Sequence, residues 1–226
     1  MKNLIIIGAR GFGREVHSFA MECTGYKSDY TIKGFVDDKV DALDGFNDYA
    51  PVLCSVEAYE IEPDDVFICG LGSPIHKRKY VDIIAAKGGE FINLIHPSVT
   101  FAQNVQLGKG LIIGKDCVIS NDVTIKDYVT MHPFCVIGHD AILGECAFVG
   151  AFCFMAGYSV LEEQVSMNVR SSILANITVG TCAIVGASSL AAKDVKEGTT
   201  VFGTPARVIP GYNTTVETNK MQSGEL

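Results

Sequence analysis

The chain has 226 residues, with 26 acidic against 18 basic side chains and a net charge of −8. That length holds one or two domains, and the acidic balance argues against nucleic acid and anionic membrane surfaces as partners. It leaves room for small anionic ligands, which need only a local cationic or N–H-rich site.

The opening, MKNLIIIGARGFG, has four apolar residues before a Gly-rich turn. That is too few for a signal-peptide apolar region, and no transmembrane stretch follows. Leu4 to Ile7 reads as a buried strand. It runs through Gly8, Arg10, Gly11 and Gly13 into a helix with Phe12, Val16, Phe19, Ala20 and Cys23 on one face. Thr31 to Val36 is predicted as a second strand, ending in Asp37-Asp38. Val66 to Cys69 is a third, followed by Gly70-Leu-Gly72-Ser73-Pro74 and a helix from about Ile75 to Lys87. Phe91 to Ile95 reads as the last strand of this half. The βαβ alternation implies a small parallel, Rossmann-like sheet over residues 1–95, with a crevice at the carboxyl ends of its strands. Three features converge there. Gly8–Gly13 places backbone N–H groups at a helix N-terminus, which suits a phosphate. Asp37 and Asp38 end the next strand, where a ribose or base can be hydrogen-bonded. Gly70–Ser73 forms a second glycine rim. The spacing is G-x-x-G-x-G rather than G-x-G-x-x-G, so a dinucleotide is not specifically indicated, and a glycine turn also serves simply to fit a strand to a helix. His17 and His76 are expected on solvated helix faces.

From Val99 to Asp194 the chain repeats every six residues, sixteen times, without insertion or deletion. Fifteen of the sixteen third positions are large and apolar, from Phe101 through Ile137 and Met155 to Val185, and the next is often Gly. A six-residue period of this kind signals a parallel β-helix rather than an α-helix. Each hexad is a short strand plus a turn, three hexads close an 18-residue coil, and residues 96–210 are assigned to this domain. The third position fills the axis, and Gly serves turns where a Cβ would clash. Residues 211–226 read as a polar, loosely ordered tail.

The eight cysteines show neither a CxxC pair nor Cys/His zinc spacing. Cys117, Cys135 and Cys153 lie 18 apart and should stack on successive coils. A metal or redox column is conceivable, but a narrow solenoid also wants small side chains in an inward column. Unpaired thiols fit a reducing compartment, so a cytoplasmic location is expected.

GARGFGREV, the linker IHPSV, the hexad containing VIGHD and the closing IVGASSLAAKDVKEGTTVFGTPARVI resemble the sialic-acid and bacillosamine acetyltransferase family. These are sugar acyltransferases of bacterial surface-glycan biosynthesis with a left-handed β-helix. The resemblance extends over residues 1 to about 210, and the left-handed sense comes from it. It implies acetyl-CoA as donor, a nucleotide-linked amino sugar or sialic-acid-type sugar as acceptor, and a homotrimer with active sites between subunits. It implies His139 as general base and Asp140 as the acid that orients it. The backbone N–H facing the acetyl group falls on Gly157, one coil later. Pantetheine and adenine contacts fall on segments matching Ala175, Ala187, Lys193 and the GTPAR turn. The chain departs from the family at Phe12 and Phe148, where members can carry His, and at His132, where members can have Asn near the acceptor. Phe148 is accordingly placed beside the donor and His132 beside the acceptor.

Zinc chemistry of the carbonic-anhydrase kind needs three His meeting across an interface. His96 and His132 are 36 apart, two whole coils, but the third ligand position falls on axial Ile137, and no metal is expected. His139 stands at a turn where it and Asp140 can both project outward, so that Asp140 can accept from Nδ1 and leave Nε2 as acceptor. An imidazole suits proton transfer near neutral pH. The expectation is direct N-acetyl transfer, with Gly8, Arg10, Gly11, Gly13, Asp37, Gly70 and Ser73 holding the nucleotide end of the acceptor. O-acetylation of a sialic acid or another sugar is the alternative within enzymes. A non-catalytic trimeric scaffold or sugar-nucleotide sensor is the alternative outside them.

Overall fold

The computed structural model describes residues 1–213, and side chains through residue 210. Two compact units emerge: residues 1–97 with 109–112, and residues 98–108 with 113 onward.

The first unit is built on five parallel strands: β1 (Lys2–Ile7), β2 (Tyr30–Val36), β3 (Val52–Cys54), β4 (Asp65–Cys69) and β5 (Glu90–Phe91). Helices α1 (Gly11–Ala20) and α2 (Pro74–Ala86) follow β1 and β4. The order is β3-β2-β1-β4-β5. Leu4, Ile5, Ile6 and Ile7 are all fully buried, the continuous apolar run of a parallel strand covered on both faces. The chain moves from β1 to β2 on one side and reaches β4 on the other. The glycine turns after β1 and β4 therefore flank the point where strand order reverses, the usual place for a ligand in such sheets. Gly13 and Gly70 hold this junction closed. A Cβ on Gly13 would lie 1.9 Å from the Gly8 carbonyl oxygen, and one on Gly70 would lie 2.9 Å from the Gly13 Cα.

Three expectations change here. Phe91–Ile95 is not one strand: Glu90–Phe91 joins the sheet, while the Leu94 N–H donates to the Leu111 carbonyl at 2.8 Å. The short edge strand β3 had no apolar alternation to announce it. His17 is buried, at 6 % exposure, rather than solvated. It stacks on Phe35, meets Tyr49 edge-on, and its Nε2 accepts from the Ala50 N–H at 3.4 Å. Burial pushes its pKa down from the ordinary value. The loop leading to β3 folds back over α1, and an aperiodic loop leaves no mark on a helical wheel. His76, also expected in solvent, is half-buried with Nδ1 3.1 Å from the Ser73 hydroxyl.

In the second unit each hexad contributes a two-residue strand, and strands 18 residues apart pair in parallel: Val118 with Val136, and Val136 with Phe154. The first face carries Thr100–Phe101, Val118–Ile119, Val136–Ile137, Phe154–Met155, Ser172–Ile173 and Leu190–Ala191. The second carries the strands starting at Gln106, Thr124, Ile142, Val160 and Thr178. The third carries Thr130–Met131, Phe148–Val149, Ser166–Met167, Ile184–Val185 and Thr199–Gly203, and the antiparallel Ala206–Asn213 closes it. That last strand takes in the first residues of the expected tail; the rest of the tail lies outside the described residues.

The axial column from Ile113 to Ala191 is buried throughout, while Phe101 and Leu107 are exposed. Each buried aliphatic side chain contributes about 1.5–3 kcal/mol, so a polar residue at Ile137 would break several coils together. Where the fourth position is Gly the coils touch closely: a Cβ on Gly138 would lie 2.6 Å from the Gly157 nitrogen. The sixth position takes positive φ, from Asn104 at 60° to Ser188 at 55°. The cysteine column is a packing column whose thiols donate inward. Cys135 Sγ lies 3.1 Å from both the His132 and Gly150 carbonyls, and Cys153 Sγ lies 3.1 Å from that of Asn168.

Candidate active site

His139 and Asp140 occupy the fifth and sixth positions of their hexad, at the corner between the first and second faces. Asp140 has φ 58°, and its N–H donates to the Asn121 carbonyl of the preceding coil at 3.0 Å. That turn throws both side chains outward. Asp140 Oδ2 is 2.8 Å from His139 Nδ1. The carboxylate can only accept, so Nδ1 carries the proton in the neutral ring and Nε2 is left as an acceptor.

One coil later stands Gly157, under the imidazole. A Cβ there would lie 2.7 Å from both Cε1 and Nε2 of His139. The absence of a side chain is therefore what lets the ring lie against the coil. Among the described residues the Gly157 N–H makes no hydrogen bond, while the Gly157 carbonyl accepts from Asn176 at 3.2 Å. Ala175 and Lys193 continue the same 18-residue column and are exposed.

The remaining positions expected beside the donor and acceptor stand elsewhere in this unit. His132 and Ala187 lie at the corner between the third and first faces, and Phe148 lies on the third face. Phe148 is half-buried, with its ring centroid 5.0 Å from that of His132. One chain therefore gathers His139, Asp140, Gly157, Ala175 and Lys193 on one corner, and Phe148, His132 and Ala187 around another. Sequence reasoning missed Tyr158. Its ring stands edge-on to His139, with centroids 5.1 Å apart and planes at 87°. Counting 18 from Asp140 was the signal that could have found it.

In the first unit the turns do converge at the carboxyl ends of β1, β2 and β4. Gly8 N–H donates to the Val36 carbonyl and Gly70 N–H to that of Ile7, both at 2.8 Å. Gly11 begins α1 with nothing within 4 Å of where its Cβ would be, and Gly72 is equally open. At these turns Gly11 and Gly72 leave backbone bare to a ligand. Arg10 is exposed beside them. Ser73 caps α2, accepting from the His76 N–H at 3.5 Å. Asp37 differs from expectation. It is buried, and its two oxygens accept from the Ala9 and Lys39 N–H groups, each at 2.8 Å. It braces the glycine turn rather than standing open for a ribose. Asp38 accepts from the Tyr80 hydroxyl at 2.6 Å.

Among the described residues no helix is long and apolar enough to cross a membrane. Residues 3–84 match the PglD N-terminal domain family, and residues 116–157 match the bacterial transferase hexapeptide family of six repeats. The chain is 26 % identical over 115 residues to UDP-N-acetylbacillosamine N-acetyltransferase of Bacillus subtilis. That match spans about half of each protein, 50 % of this chain and 51 % of the relative. PerB from Caulobacter crescentus, solved with CoA and GDP-perosamine, shares the fold with a TM-score of 0.81 at 23 % identity, over 92 % of this chain and 98 % of that one. The acetyltransferase domain of PglB from Neisseria gonorrhoeae, solved with acetyl coenzyme A, gives 0.69 at 21 % identity, over 92 % of this chain and 99 % of that one. A segment that matches the PglD N-terminal domain and a segment that matches the transferase hexapeptide repeat thus occur in one chain, in the order GARGFGREV and VIGHD led us to expect.

Proposed function

We propose that this protein transfers an acetyl group from acetyl-CoA to the amine of a nucleotide-linked amino sugar, in bacterial surface-glycan biosynthesis. The observation that carries the reading is the His139–Asp140 pair, 2.8 Å apart, seated over the bare Cα of Gly157. The substrates named for the relatives from Bacillus, Caulobacter and Neisseria support it.

The acceptor amine attacks the thioester carbonyl while His139 Nε2 takes a proton from it. Asp140 keeps Nδ1 protonated and offsets the charge of the imidazolium. The Gly157 N–H, which has no partner among the described residues, donates to the developing oxyanion. The new C–N bond forms, the C–S bond breaks, and the imidazolium returns its proton to the departing thiolate. Holding both substrates against one solenoid edge supplies the proximity, with no covalent enzyme intermediate. In the first unit, the open backbone of Gly11 at the start of α1 takes a phosphate, with Arg10, Gly72 and Ser73 at the rim. Residues 1–95 thus act as the nucleotide-sugar domain and 96–210 as the acyltransferase domain.

The working form is a cytoplasmic homotrimer. Val118, Val136 and Phe154 are exposed in one row of the first face, and Phe134 and Phe152 at its edge. An apolar surface of that extent calls for a partner. A trimer also supplies the second corner that one chain leaves apart, bringing Phe148, Ala187 and His132 to the donor and acceptor.

The test is thiol release from acetyl-CoA by the purified protein with a panel of nucleotide-linked amino and hydroxy sugars. The expected result is amine-dependent release that His139→Ala lowers by at least 10²–10⁴-fold, as for a missing general base. Unchanged turnover in His139→Ala refutes the mechanism; release only with hydroxyl acceptors refutes the N-acetyl assignment.

A further inference from the structure

His139 is an exposed side chain, and an exposed imidazole normally samples several staggered rotamers. A base that wanders wastes the proximity the site provides. The Asp140 contact alone does not prevent this, because a ring can swing about a single hydrogen bond. Two further contacts limit the swing. Gly157 lets the ring lie against the coil, and Tyr158 stands beside it with its plane at 87° to the imidazole. Tyr158 is itself anchored at the base of this arrangement, since its N–H donates to the His139 carbonyl at 2.9 Å. The T-shaped geometry is a favoured one for two rings and favours one orientation over others.

We infer that Tyr158 is a positioning residue, whose ring walls the His139 imidazole into the pose that points Nδ1 at Asp140 and leaves Nε2 to the acceptor. The inference rests on the reading of His139 as the base, and the ring of Tyr158, not its hydroxyl, carries it.

The fold supplies a suitable control. Tyr158 has φ 60°, and the same hexad position holds Asn104 at 60° and Asn176 at 61°. Asn adopts positive φ more readily than Tyr, so Tyr158→Asn removes the ring without straining the turn. Tyr158→Phe keeps the ring. Tyr158→Asn is expected to lower kcat about ten-fold with both KM values within about two-fold, and Tyr158→Phe to restore kcat to within about two-fold of wild type. His139→Ala run alongside separates the two ideas. If it stays active, the base reading fails. If it is inactive while Tyr158→Asn turns over at the wild-type rate, only the positioning role fails. A Phe variant as poor as Asn also overturns it, since the hydroxyl would then matter.

Proton NMR gives an arm that needs no substrate. With five histidines in the chain, the His139 ring protons are assigned by their disappearance in His139→Ala. Ring-current displacement in wild type and Tyr158→Phe, lost in Tyr158→Asn, is the expected result. Identical His139 shifts in all three proteins overturn the inference whatever the kinetics show.

Discussion

Replacing Gly157 by Ala separates the catalytic geometry from the fold. The new Cβ would lie 2.7 Å from Cε1 and Nε2 of His139 and 3.1 Å from Nδ1. Carbon contacts settle at about 3.5–4.0 Å, so the imidazole must retreat by roughly 1 Å. All three nearest atoms belong to the His139 side chain and none to backbone, so the ring gives way rather than the coil. Gly157 does not have positive φ, and a Gly to Ala change at an unstrained position stabilises by about 0.4–1 kcal/mol through the unfolded chain. A misplacement of about 1 Å at a reacting group costs about 10²-fold. The expectation is a Tm equal to or slightly above wild type, kcat lowered about 100-fold, and acetyl-CoA KM little changed. Thermal melts and thiol-release kinetics on the same preparation read all three. Wild-type kcat in a well-folded Gly157→Ala protein would refute the seating of the ring. A large fall in Tm would show that this glycine serves the packing of coils instead.

The other predictions concern separate parts of the chain. Gly11→Ala meets no neighbour and lies in the first turn of α1, so stability should hold or rise by about 0.5–1 kcal/mol. Nucleotide-sugar affinity, measured by calorimetry, should fall, and unchanged affinity would remove the phosphate from that turn. Asp65 accepts from the Tyr59 hydroxyl at 2.7 Å and the Glu62 N–H at 2.8 Å, and pairs with Lys33 at 3.0 Å. Burial alone would raise its pKa, but those partners outweigh it and hold the carboxyl below its ordinary value. Its stabilisation is therefore complete above the unfolded-state value of about 3.9 and is lost as pH falls through the lower folded one. Asp65→Asn should cost about 2–4 kcal/mol near neutral pH and flatten the acid limb of the Tm–pH curve; an equally steep limb would assign that limb elsewhere. Light scattering at micromolar concentration should give three times the 24.3 kDa chain mass, and Phe154→Asp should lower it; a monomeric wild type would remove the shared site. Phe148→Ala should raise the acetyl-CoA KM several-fold if its ring lines the donor, and loosen the trimer instead if it only packs between subunits.

What could be read from the chain alone was whatever a fixed period encodes. A third-position apolar residue every six and a coil of 18 place Ile137 on the axis and Cys117, Cys135 and Cys153 in one inward column. They also put Gly157 over His139, because adding 18 moves one coil along and changes nothing else. The strand–turn–helix pattern around Gly8–Gly13 was legible for a related reason: strand burial and helical spacing are local properties. What period does not encode was decided by tertiary structure. His17 is buried by a loop whose residues follow no repeat. Asp37 turns inward because the Ala9 and Lys39 N–H groups need an acceptor, a demand visible only once the turn has folded around it. Phe148 and His132 stand at a different corner from His139 because hexads far apart in function are interleaved around three faces. Tyr158 stands edge-on to the imidazole through the rotamers of two exposed side chains, which their spacing does not encode.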